Sequence, residues 1–160
     1  MNKQLRSMLG HGTVILLIGM LLGVGLLASL LGGMELIPGS IIAFGIPGDP
    51  GAWARAHVGG MLNGMLIMLV AVVIAALKLS ARVTRHLSWM LVGTGYANSL
   101  FYLAALVAPN RALSFADNKF GQSSLFAVIG LVPALVFVVA SIVAIAILSV
   151  NTFKSGDELN

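Results

Sequence analysis

Cysteine is absent from the 160 residues, which excludes structural disulfides, thiolate iron ligands, iron–sulfur clusters and the CxxCH attachment of a c-type haem. Any haem is therefore bound non-covalently. Charge is scarce as well: 9% of residues are charged and 59% hydrophobic, whereas a soluble domain has about a quarter of its residues charged. Water is not the main solvent of such a chain. None of the five acidic residues interrupts a long apolar run, which argues against a proton-driven carrier built on a membrane carboxylate. HExxH, GxSxG, P-loop and dinucleotide glycine motifs are missing too, and with them the chemistries those motifs carry. The nine Lys and Arg are scattered over short connections, so they read as topology signals and headgroup contacts, with no nucleic acid partner implied.

What the chain does have is four runs free of Asp, Glu, Lys and Arg, at 13–34, 57–77, 87–108 and 123–150. Each meets the roughly 18 to 20 apolar residues needed to cross a hydrocarbon core. A helix satisfies its own backbone hydrogen bonds in lipid and an open sheet does not. The sequence therefore predicts an all-α integral membrane protein, with four transmembrane helices in one bundle and a single domain over 1–160. The first run follows Lys3 and Arg6 but is too long for a signal peptide and has no small-x-small cleavage site, so it stays as a helix. Pro109 stops the third span, and Pro133 is expected to kink the fourth. Six Lys and Arg (Lys3, Arg6, Lys78, Arg82, Arg85, Lys154) fall on the side of the termini and three (Arg55, Arg111, Lys119) on the other, which places both termini in the cytoplasm. The first connection, "ELIPGSIIAFGIPGDPGAWARA", holds three prolines yet keeps Ile41, Ile42 and Phe44. It reads as a structured excursion near the membrane surface.

Polar side chains inside a bilayer are costly and point to function. His57 opens the second span, Asn63 lies nearly two turns deeper, and Asn98 and Tyr102 are one turn apart in the third, with Thr94 extending their stripe. Six residues at 100° set Asn63 about 120° around the helix from His57, so the two address different walls or different subunits. His57 is either a hydrogen-bonded interfacial histidine or a metal or haem ligand. His11 and His86 lie at the opposite membrane end, which favours a single-histidine site. Asn63 and Asn98 read equally as helix–helix hydrogen bonds or as a site. Tyr102 belongs to an interfacial aromatic belt or to that site. Arg55 and Arg111 mark helix ends or pair with a propionate or carboxylate. Gly19 with Gly23, and Gly60 with Gly64, allow close approach of helix backbones, to each other or to a flat cofactor or second subunit.

Taken together, "GHG" at 10–12, "GVGL" at 23–26, "IPG" at 37–39, "WARAH" at 53–57, "LNG" at 62–64, "FY" at 101–102, "PNR" at 109–111 and "NKFG" at 118–121 resemble the styrene oxide isomerase family of bacterial styrene degradation. The resemblance covers about three quarters of the chain. It implies that His57 is the axial ligand of a ferric haem b lying between neighbouring protomers of a homotrimer, and that Asn63 and Tyr102 face the open side of the iron. It implies isomerisation of a small apolar aryl epoxide to an aldehyde, a Meinwald rearrangement with iron as Lewis acid, in the bacterial inner membrane beside a pathway monooxygenase. Asn98 joins the catalytic group, and Arg55 the cofactor contacts. Thr94 departs from the family pattern, which has an acidic residue there. The competing readings are a b-type haem electron carrier or anchor subunit, and a haem-free channel or accessory protein.

Overall fold

The computed structural model describes residues 2–157. In chain order it contains α1 (Lys3–Leu31), a hairpin of β1 (Gly33–Ile37) and β2 (Ser40–Ala43), α2 (Pro50–Ala76), α3 (Ala81–Val107) and α4 (Leu125–Asp157). All four helices are long and apolar enough to cross a membrane. The protein is an all-α integral membrane protein with one small hairpin added.

The helices extend beyond the charge-free runs, because lipid excludes charge only from the hydrocarbon depth and a helix continues into the headgroup layer until a cap ends it. Side-chain oxygens of Asn2, Asp49 and Ser80 accept from the backbone N–H groups of Leu5, Ala52 and Val83 and so start α1, α2 and α3. At α2 the Asp49 cap is followed by Pro50, whose missing N–H costs nothing in the first turn. His57 consequently does not open this helix. It lies seven residues inside it, two turns from the end.

The first connection is structured, as its apolar residues suggest, and it takes the form of an antiparallel pair in which Gly33 faces Ala43 and Met34 faces Ile42. Gly39 turns the hairpin at φ 81, a backbone conformation that favours glycine. Its N–H donates to Glu35 Oε1 at 2.6 Å.

α1 and α2 pack most closely. A Cβ on Gly60 would stand 2.8 Å from Gly19 Cα, and one on Gly64 2.6 Å from Leu16 N. Gly19, Gly60 and Gly64 are thus consumed by helix packing within the chain, which leaves no room there for a cofactor or second subunit. Leu5, Met8, Ile15, Ile67, Ile74, Leu87 and Leu91 fill the core toward the termini. α4 packs against α3, where the Phe137 ring lies 5.5 Å from Trp89 in a space that a side chain on Gly93 would fill. Pro133 falls inside α4.

Candidate functional site

His57 is half-buried on α2 and turned toward α1, where its Nδ1 is 2.8 Å from the carbonyl oxygen of Gly19. A carbonyl only accepts, so Nδ1 carries the proton and Nε2 presents its lone pair. One turn further along α1, Gly23 leaves space for the ring: a Cβ there would meet His57 Cε1 and Nδ1 at 2.8 Å. Two positions of one helix therefore fix both the tautomer and the orientation of the imidazole, which is how proteins set a metal-binding histidine.

Asn63 leaves α2 toward α3. Asn98 Nδ2 donates to Asn63 Oδ1 at 3.0 Å, and Asn63 Nδ2 donates to the Gly59 carbonyl at 2.7 Å. The Tyr102 hydroxyl also engages the Asn63 side chain. Gly59 makes this possible, because any Cβ there would collide with the Tyr102 phenol. The structure thus joins Asn63, Asn98 and Tyr102 in one network and leaves His57 on another wall. Thr94 is not part of that network. Its hydroxyl is 2.7 Å from Met90 O and 3.0 Å from Phe137 O, so it ties α3 to α4.

Two hollows meet at Tyr102 and Arg55. One, of about 290 Å³, lies under the third connection and is lined by Phe101, Ala105, Arg111 and Phe120. The other, of about 460 Å³, opens along α2 beside Val58, Gly59 and Leu62. Arg55 is exposed and forms no ion pair with a described residue. Arg111 instead pairs with Asp49 at 3.2 Å and sits 4.3 Å over the Phe120 ring, clipping the third connection to the start of α2. Behind it Asn110 is fully buried. Its amide donates to the carbonyls of Ser114 and Ala116, and its Oδ1 accepts from Ala112 N.

The remaining histidines lie elsewhere. His11 Nδ1 is 2.9 Å from Tyr96 Oη, and His86 Nδ1 is 2.9 Å from the Arg82 carbonyl. Among the described residues no group of three or more His, Cys, Asp and Glu could hold a metal ion. Any metal here must bring most of its own ligands, as a haem does. Sequence reasoning missed Gly59 and Asn110 as individual residues. The Gly59–Gly60 doublet was the signal for the first; nothing marked the second beyond its place in "PNR".

These features define a four-helix membrane protein in which two positions of α1 orient the His57 imidazole, with a separate amide–phenol network beside it. The family model for styrene oxide isomerase matches residues 4–153. A styrene-oxide isomerase of Pseudomonas fluorescens is 40% identical over 150 residues, covering 94% of this chain and 89% of that protein. The chain belongs to the styrene oxide isomerase family.

Proposed function

We propose that this protein isomerises aryl epoxides such as styrene oxide to aldehydes such as phenylacetaldehyde, with a ferric haem b held by His57. The observation that carries the reading is the Nδ1 bond to the Gly19 carbonyl, which leaves the Nε2 lone pair free to hold a haem iron. Bound there, ferric haem supplies a Lewis acid that polarises an epoxide without electron transfer.

The chain's own residues supply the rest. Tyr102 donates a hydrogen bond to the epoxide oxygen as negative charge grows on it, Asn63 holds the phenol, and Asn98 fixes the Asn63 amide. The benzylic C–O bond breaks, hydride shifts from the neighbouring carbon to the benzylic one, and the oxygen lone pair closes the carbonyl. Nothing is added and nothing leaves. Phe101, Ala105 and Phe120 keep out the water that would trap the benzylic cation as a diol.

The resemblance to the family implies a haem between neighbouring copies of a homotrimer, and the different walls that His57 and Tyr102 face are compatible with a site completed by a second copy. Arg55, exposed and without an acidic partner among the described residues, would be free to hold a haem propionate. The excess of basic residues at the start of α1, around the α2–α3 connection and at the end of α4 favours cytoplasmic termini in the bacterial inner membrane, where an epoxide-forming monooxygenase delivers the substrate. The test is His57→Ala purified with added haem. The expected result is loss of both Soret absorbance and isomerase activity; a variant that kept them would remove His57 as the ligand.

A further inference from the structure

At the membrane end opposite His57, α1 and α3 enclose a groove of about 320 Å³ that the proposed chemistry does not use. Its walls are Gln4, Ser7 and His11 from α1 and Arg85, Ser88 and Trp89 from α3. The spacings i, i+3, i+7 on α1 and i, i+3, i+4 on α3 put each set on one helical face. Two further features separate the groove from an ordinary polar helix end. The Ser7 and Ser88 hydroxyls make no hydrogen bond to a described residue, whereas Ser99 and Ser149 each donate to a carbonyl one turn back. The groove is also graded along the membrane normal. Arg85 and Ser88 stand toward its mouth, and Val92 and Gly93 lie about 10 and 12 Å deeper than Arg85 at 1.5 Å per residue. The His11–Tyr96 hydrogen bond bridges α1 and α3 beside it.

The electrostatics match. Lys3, Arg6, Lys78, Arg82, Arg85 and Lys154 lie at this end with Asp157 at the close of α4, while Glu35, Asp49 and Asp117 lie at the other, so the end remains net basic. Trp89 is 62% exposed, as a side chain at the headgroup boundary is.

We infer that this groove is a specific site for an anionic phospholipid, with the phosphodiester between Arg85, Ser7 and Ser88 and an acyl chain running past Trp89 and Val92. Guanidinium and hydroxyl donors suit a phosphate, and the apolar wall that α3 presents through Trp89, Val92 and Gly93, opposite His11, suits a chain that free phosphate lacks.

The experiment places the protein in phosphatidylcholine bilayers containing increasing phosphatidylglycerol brominated on its acyl chains, and follows tryptophan quenching. The site predicts a saturable component at a low mole fraction that disappears in Trp89→Phe. Arg85→Ala should raise the half-saturating fraction roughly fivefold or more, while Arg82→Ala, equal in charge but outside the groove, changes it much less. Quenching that rises in proportion to the brominated lipid, or that falls equally in both arginine variants, would show general surface attraction and overturn the site. Displacement of the saturable component by millimolar inorganic phosphate would assign the groove to a free anion and overturn the lipid.

Discussion

Gly23→Ala tests how α1 controls the imidazole. The added methyl would lie 2.8 Å from His57 Cε1 and Nδ1, where ordinary contact begins at 3.4 Å, so the ring must retreat by about 0.6 Å or the helices must part. Either movement strains the 2.8 Å bond to the Gly19 carbonyl, near the length at which such bonds are strongest. A lost hydrogen bond of this kind costs about 0.5–1.5 kcal/mol, and disturbing the partner of a metal-binding histidine typically lowers metal affinity by about 10 to 100-fold. The assay is haem titration into purified apoprotein, followed by Soret absorbance. Gly10→Ala is the control, since a Cβ there meets nothing within 4 Å; it should bind haem as wild type does. If Gly23→Ala bound haem as tightly as the control, the imidazole would not owe its presentation to this wall.

Tyr102→Phe keeps the ring over Gly59 and removes the hydroxyl, so it should retain haem and lower kcat by about 100-fold, the loss expected for one donor to a developing oxyanion; an unchanged rate removes Tyr102 from the reaction. Asp49→Ala deletes the α2 cap and the Arg111 ion pair together, and should cost about 0.5–2 kcal/mol, seen as a lower Tm in detergent. Asp49→Asn keeps a capping oxygen and removes only the charge of the pair, half-exposed at 36% and 47%, and should cost less than about 1 kcal/mol. Equal losses would mean that the cap contributes nothing.

The membrane core was legible because hydrocarbon leaves a plain record, a run without charge about as long as the bilayer is thick. Helix ends were not. Arg55, Arg82 and Arg85 bound the charge-free runs and yet stand on helices that continue into the headgroup layer, so the charge pattern places His57 at the start of a span it lies within. The hairpin was hidden because consecutive apolar residues such as Ile41 and Ile42 break the alternation that marks a strand. Asn63, Asn98 and Tyr102 stood out because polar groups are rare in apolar helices, and the structure links them. Which glycine serves which side chain was not readable, because four-residue spacing marks a thin helix face without naming its neighbour. Gly60 proved to face Gly19, Gly59 to face Tyr102, and Gly23 to face His57. Thr94 shares a helical stripe with Asn98, but its hydroxyl is engaged at the α4 backbone.

The most direct measurement is the product formed from styrene oxide by detergent-purified protein with ferric haem and no reductant, with chromatography separating phenylacetaldehyde from the diol. The account predicts aldehyde as the product, diol at the level of the protein-free control, and haem that stays ferric through many turnovers. Diol above that control, or turnover only when a reductant is supplied, would contradict it.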